Sequence, residues 1–240
     1  MATSKNTAWL VAIGPLTNVA LLIATYPEVS GHIKGLSIMG GVIGNDFSQG
    51  SLTATSTQGT FNPYVEFNIA CDPESARCIF QNHPILAHKT VLIPLDLTHQ
   101  ACVTSDRMER LYKGERGVTK LRRAFYELLM FCENSYAKHA GMKGGAPLHD
   151  PLAVAALLFD HKDPISMIGL DDKEGERWDV DVILEGDQAG RLVVTKSANA
   201  GILIPRSINF SRFWSTFEDC MSRADEATGF ETGDGKSANL

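Results

Sequence analysis

The stretch Lys89-Thr90-Val91-Leu92-Ile93-Pro94-Leu95-Asp96 constrains the fold more than any other part of this chain. After one lysine comes a nearly unbroken apolar run, closed by proline, with the polar residues Asp96 and Thr98 just beyond it. A run of this kind reads as a strand buried on both faces, and strands of that type belong to parallel sheets whose connections are helices. The neighbouring patterns agree. Ala8 to Ile13 is a short apolar run that stops at Gly14-Pro15, after which Leu16, Val19, Ala20 and Ile23 recur at helical spacing. Gly35 to Met39 is another apolar run, closed by Gly40-Gly41. Asp72-Pro73-Glu74 opens a helix through Phe80, with acidic side chains in the first turn where the helix dipole favours them.

Ser105 to Tyr112, Leu121 to Tyr136 and Pro151 to Phe159 also read as helices. Strands alternating with helices predict an α/β fold, a mostly parallel Rossmann-like sheet flanked by helices. Beyond Pro164 the pattern changes. Trp178 to Leu184 and Arg191 to Thr195 alternate apolar and polar residues around Glu185-Gly186-Asp187, which predicts a late antiparallel hairpin at an edge of the sheet. Ser211 to Arg223 is a final amphipathic helix. One domain over residues 1–224 and a polar, Gly-rich flexible tail over 225–240 follow from this pattern. Residues 44–63 are rich in Gly, Ser, Thr, Asn and Gln, a surface loop of a length usually kept for function.

Composition removes several function classes. The chain has 240 residues with 22 basic and 28 acidic side chains, a net charge of −6, in short mixed runs without a basic block. Electrostatic binding to nucleic acid is therefore disfavoured, and no nucleic-acid partner is expected. Apolar stretches such as Val19 to Ala24 fall far short of the ~20 residues of a bilayer span, and Met1 to Asn6 lacks the apolar core of a secretory signal. No membrane partner and a cytoplasmic location are expected. The 5 cysteines are an odd number at irregular spacing with no CxxC pair, so neither a disulfide framework nor a structural zinc site is expected.

In a parallel α/β sheet, ligands gather beyond the carboxyl ends of the strands. The polar residues there are Gly14 to Asn18, Met39 to Gly41 and Asp96 to Gln100. Two further groups are Glu66-Phe67-Asn68 and His149-Asp150. His149-Asp150-Pro151 sets an imidazole beside a carboxylate at the entry of an apolar helix. Asp150 either caps that helix or acts, as a ligand for a divalent cation, while His149 is suited to protonate a leaving group. If Phe67 faces away in an extended segment, Glu66 and Asn68 share one face, and an acid with an amide suits sugar hydroxyls. A solvated loop face is the alternative. His99 is either catalytic or a structural histidine. Neither GxGxxG nor GxxxxGK[ST] occurs at Gly14, and neither GxSxG nor HExxH occurs anywhere.

Several blocks together resemble one family. Val11-Ala12-Ile13-Gly14-Pro15-Leu16-Thr17-Asn18-Val19-Ala20, Ile38-Met39-Gly40-Gly41, Glu66-Phe67-Asn68-Ile69-Ala70-Cys71-Asp72-Pro73-Glu74-Ser75-Ala76, Leu95-Asp96-Leu97-Thr98-His99-Gln100 and His149-Asp150-Pro151-Leu152-Ala153-Val154-Ala155 resemble successive motifs of the inosine-uridine preferring nucleoside hydrolases, the fungal uridine nucleosidase type in particular. The resemblance implies the nucleoside hydrolase fold and hydrolysis of the N-glycosidic bond of purine or pyrimidine ribonucleosides to ribose and free base. It implies one calcium ion, which binds the attacking water and the ribose diol. Position by position, Asp150 matches a calcium-ligating carboxylate that also meets a ribose hydroxyl, and Ile13 matches a backbone-carbonyl ligand. Glu66 and Asn68 match ribose-hydroxyl contacts, Met39 lines the ribose and Phe67 packs nearby. His149 matches the acid toward the leaving base, and a further ribose contact falls at Thr60 or Asn62. A homodimer or homotetramer is implied as well.

The same resemblance exposes a departure. The family begins with an aspartate cluster of the form DxDxxxDD, which supplies two calcium ligands and the base that activates water, and this chain has none. Asp171-Asp172 lies in a late polar loop and is no substitute. Calcium binding weakened or lost, an inactive 240-residue chain and an exposed sheet edge are the consequences expected. The alternative to an enzyme is a truncated, non-catalytic homologue acting as an interaction or nucleoside-binding protein.

Overall fold

A computed structural model describes residues 2–44, 47, 64–81, 83–115, 117–139, 142, 144–158, 170–171, 173, 175–197 and 200–228. The buried run becomes strand β3 (Thr90–Ile93), which lies beside β2 (Gly35–Met39), itself beside β1 (Trp9–Ala12). Each of these pairs is parallel, with Trp9 opposite Gly35 and Leu36 opposite Thr90 at the start of the ladders. Helices α1 (Thr17–Thr25) and α2 (Val29–His32) make the β1 to β2 crossover. Helices α3 (Phe67–Cys71), α4 (Pro73–Gln81) and α5 (Pro84–His88) lead from β2 to β3.

After β3 come the one-turn helix α6 (Leu95–Thr98), strand β4 (Cys102–Val103), helices α7 (Ser105–Lys113) and α8 (Lys120–His139), strand β5 (Ala146–Pro147) and helix α9 (Asp150–Ala155). The last elements are β6 (Leu170–Asp171), β7 (Arg177–Val182), β8 (Leu192–Lys196), β9 (Ile202–Leu203), β10 (Ser207–Ile208) and helix α10 (Phe210–Thr228). The main sheet has the order β1-β2-β3-β9-β7-β8. Its first four strands are parallel, and β7 runs antiparallel to both β9 and β8. The hairpin expected from the alternating pattern is therefore β7 and β8, with β8 on the edge. At the other edge, β1 has no partner on its outer side among the described residues.

Two-residue periodicity divides the core. Leu36, Ile38 and Leu92 point to one face, where Val19 and Ile23 of α1 and Ala76, Ile79 and Phe80 of α4 cover them. Met39, Val91 and Ile93 point to the other, against Leu111 of α7, Leu129 of α8, Leu152 of α9 and Phe213 of α10. All residues of β2 and β3 are buried, and these two strands are covered on both faces. Asp72 precedes α4 and accepts from the Ser75 amide at 3.0 Å, and Thr17 also donates to its carboxylate, which ties α1 to α4.

Two expectations need correction. Residues 66–68 are not extended: α3 begins at Phe67, and Glu66 is its N-cap residue. The boundary at residue 224 is also displaced, because α10 runs to Thr228 and Asp225 is buried. The reason is electrostatic. The Asp225 carboxylate accepts from Arg122 Nε at 2.5 Å and from Thr119 Oγ1 at 2.6 Å, all three side chains being buried, so this ion pair fastens the last helix to α8. The rest of the expected tail, residues 229–240, lies outside the described residues, as do residues 48–63 of the expected loop.

Removing one partner of a buried pair leaves the other charge without compensation. Asp225→Ala is expected to destabilise the fold by about 3–5 kcal/mol, measured by urea unfolding, whereas the double change Arg122→Met with Asp225→Leu costs much less. Equal losses in the two proteins would contradict the role given to this pair.

Candidate active site

The parallel strands β1, β2 and β3 all end on one side of the molecule, and the turn after β2 is the first part of the site. Gly41 has φ +83°, a conformation side chains resist, and a Cβ there would stand 2.2 Å from Leu192 Cδ1. Its amide donates to Glu66 Oε2 at 2.9 Å. The same carboxylate accepts from the Ile69 amide at 3.1 Å through Oε2 and from the Asn68 amide at 2.8 Å through Oε1. Glu66 thus caps α3 and joins it to the end of β2. The cap also sets the place of Asn68, whose Nδ2 donates to the Met39 carbonyl at 3.1 Å. Glu66, Asn68 and Met39 are buried together, while Phe67 turns outward and is 53% exposed.

The second part is built around His149. Strands β4 and β5 pair antiparallel, Cys102 opposite Pro147, and the Leu148 amide donates to the Ala101 carbonyl at 3.0 Å. This ladder carries His149 alongside α6, where its Nδ1 lies 2.8 Å from Thr98 Oγ1. From the other side α8 brings Tyr136, whose hydroxyl lies 3.0 Å from His149 Nε2. His149 occupies the N-cap position of α9 without capping it, and Asp150 is the first residue of that helix. The capping alternative for Asp150 is therefore not what the local geometry supports. The residue as a whole is exposed, its carboxyl group is part-buried, and it has no hydrogen bond among the described residues. Ser37 Oγ of β2 donates to the Ala153 carbonyl at 2.7 Å and fixes α9 over the sheet.

Electrostatics tie the two parts together. Burial raises the Glu66 carboxyl above its ordinary range, three backbone amides oppose that rise, and the charge of Asp150 adds to it. Burial raises the Tyr136 phenol, with Cys132, Asp150 and Glu66 contributing in that order. The Asp150 charge thus acts on both Glu66 and Tyr136, which links the two parts electrostatically. Burial also raises Asp150 and lowers His99. His149 is held down to about 4, first by burial and then by His99, whose ring centre is 5.5 Å away.

The remaining expected residues fall as follows. Ile13 follows β1 at the same end of the sheet, its side chain 49% exposed. Thr60 and Asn62 lie outside the described residues. Asp96, first in the polar cluster after β3, is a scaffold residue: its carboxylate accepts from the Ile43 and Gly44 amides, each at 2.8 Å. Sequence reasoning did not pair His149 with Thr98 and Tyr136, which stand 51 and 13 residues away. No local pattern announces those contacts, because the β4–β5 ladder and α8 create them. A charged hollow of about 630 Å³ lined by Asp106, Lys113, Arg122 and Glu218 contains none of these residues.

Asp150 and the Ile13 carbonyl are the oxygens that the resemblance assigns to calcium. Among the described residues no group of three or more His, Cys, Asp or Glu side chains could hold a metal ion. Calcium takes about six to eight oxygen ligands, so the described residues do not build a cage for it.

The lowered His149 has a measurable consequence. A histidine held below its unfolded value, about 6.5, stabilises the fold fully above that pH. That contribution is lost as pH falls through the interval down to about 4. His149→Gln is expected to flatten the decline of stability between those values, read from urea unfolding at stepped pH. An unchanged pH slope would contradict the placement of the ring.

Comparison with known proteins completes the picture. The family model for the inosine-uridine preferring nucleoside hydrolases matches residues 1–215. A uridine nucleosidase of Saccharomyces cerevisiae is 31% identical over 223 residues, covering 90% of this chain and 61% of that protein. A non-specific ribonucleoside hydrolase of Escherichia coli is 36% identical over 149 residues, covering 62% of this chain and 40% of its own length. Among solved structures, a purine-preferring ribonucleoside hydrolase from Gardnerella vaginalis matches with TM-score 0.70 at 22% identity, over 93% of this chain and 63% of that one. A plant nucleoside hydrolase matches with TM-score 0.68 at 20% identity, over 90% and 62%. Both share the fold. The chain thus spans at most about three fifths of the length of the curated relatives described here. With its motifs, its α/β architecture and a family match over nearly the whole chain, this protein belongs to the inosine-uridine preferring nucleoside hydrolase family.

Proposed function

We propose that this chain carries the ribose-binding and base-facing side of a ribonucleoside N-ribohydrolase site. The observation that carries the reading is a pair of groups linked by the action of the Asp150 charge on Glu66: the Glu66–Asn68–Met39 rim, and His149 between Thr98 and Tyr136, followed by Asp150. Ribose hydroxyls are placed against Asn68 and Asp150, which offer an amide and an acceptor. Glu66 already holds three amides and acts mainly by shaping the rim. Met39 gives the sugar an apolar floor, and the outward ring of Phe67 borders it.

Cleavage of the N-glycosidic bond moves its electron pair onto the base, which then needs a proton. His149 is neutral at pH 7, its value being about 4, so it serves poorly as a reservoir of protons. Bonded at both ring nitrogens, it serves instead to position its neighbours, one nitrogen accepting from one hydroxyl while the other donates a hydrogen bond to the second. The Tyr136 hydroxyl, held by His149, is the proton donor proposed for the leaving base, and solvent returns the proton once the base has gone. Water activation is outside what these residues supply. The 240-residue chain alone is proposed to bind ribonucleosides with little or no turnover, and a non-catalytic partner role is the second reading, favoured by the outer edge of β1, which has no strand partner among the described residues.

Titration calorimetry with uridine tests the proposal. Uridine binds the wild-type chain, 2′-deoxyuridine binds more weakly, and Asn68→Ala weakens uridine by about tenfold, the worth of one good hydrogen bond in a buried site. Absence of uridine binding by the folded protein would sink the ribose reading and leave the partner role in its place.

A further inference from the structure

Behind the rim lies a cluster that touches none of the site residues. Arg206 is 6% exposed, and its guanidinium carbon sits 4.4 Å from the Phe47 ring centre and 5.5 Å from that of Trp178. The two rings meet edge to face at 4.9 Å. Nη2 donates to Glu176 at 3.0 Å, while Nε and Nη1 are buried without a hydrogen-bond partner among the described residues. A buried cation with unused donors depends on whatever else attracts it, and here that is Glu176 and the two aromatic faces.

The cluster is wired to the rim. The Arg206 carbonyl accepts from Gln100 Nε2 at 2.9 Å, and the same nitrogen donates to the Asp96 carbonyl at 2.9 Å. The Asp96 carboxylate holds the amides of Ile43 and Gly44, and the Phe47 amide donates back to the Gly44 carbonyl at 3.2 Å. Two residues before Ile43, Gly41 accepts from the Leu95 amide at 2.9 Å and donates to Glu66. The connections form a closed circuit: Phe47, Arg206, Gln100, Asp96, residues 43–44, and back to Phe47.

We infer that the Phe47–Arg206–Trp178 stack is a clamp that positions the site's rim at residues 41–44 without contacting substrate. Its consequence for nucleoside affinity rests on the ribose-binding reading given above. Phe47, Arg206 and Trp178 are positioning residues: removing the aromatic face releases residue 47, loosens the 43–44 turn on Asp96 and thereby frees the Gly41–Glu66 junction. The variants that separate this from simple packing are Phe47→Leu, which keeps an apolar side chain without a π face, and Phe47→Tyr, which restores the ring.

Amide hydrogen exchange reads the clamp directly, and uridine titration reads its consequence. Phe47→Leu is expected to speed exchange at Ile43 and Gly44 by about tenfold, the size of a desolvated cation–aromatic contact, with Leu92 and Ile93 of β3 unchanged. Uridine affinity falls by a similar factor, and Phe47→Tyr returns both to near wild type. If Phe47→Leu does not fold, as loss of β3 protection would reveal, Arg206→Lys takes its place, keeping the charge opposite Glu176 but losing the planar group. Wild-type exchange at Ile43 and Gly44 in a folded Phe47→Leu or Arg206→Lys protein, or no recovery in Phe47→Tyr, overturns the clamp. Accelerated exchange in a chain whose wild type binds no uridine upholds the clamp and overturns only the nucleoside reading.

Discussion

Burial of β2 and β3 on both faces is the constraint from which the rest of this structure follows. Apolar side chains on either side of two adjacent strands must be covered by helices, at roughly 25 cal/mol gained per Å² removed from water. The strands' backbone groups are spent on one another, and the polar demands of the sheet collect where the strands end. There the turn after β2 presents a run of amides with no strand to receive them. Glu66 takes the amide of Gly41, and Asp96 takes those of Ile43 and Gly44. Two carboxylates among the polar candidates of the sequence are thus first of all anchors of the rim.

The same dryness sets the chemistry. Burial raises Glu66, Asp150 and Tyr136 and lowers His99 and His149, so every one of these groups is pushed toward its uncharged form. In the proposed reading a neutral His149, bonded at both ring nitrogens, holds Thr98 and Tyr136 in place, and Asn68 serves as a hydroxyl partner. The chain covers at most about three fifths of the described curated relatives' length.

Much of this was legible in the residues. Apolar runs with polar ends located β1, β2 and β3, and the alternation in residues 178–195 located the edge hairpin. Matching blocks singled out Met39, Glu66 and Asn68, which are buried together, and His149 with Asp150 at the start of α9. Three things were not legible, each for a tertiary reason. Glu66 and Asn68 share a site through a helix cap and not through strand alternation, because three amides converge on one carboxylate. Thr98 and Tyr136 reach His149 through the β4–β5 ladder and the end of α8. Asp225 sits in a stretch whose composition reads as tail, and only its buried pairing with Arg122 makes it part of the fold.

The central claim is that these residues bind a ribonucleoside but do not by themselves complete the hydrolytic machinery. Reducing-sugar release from uridine and inosine by the purified 240-residue chain, with and without calcium and beside an Asp150→Ala control, tests it most directly. The account predicts no release under either condition. Calcium-dependent release that disappears in Asp150→Ala would contradict it, showing that this chain assembles a working metal site.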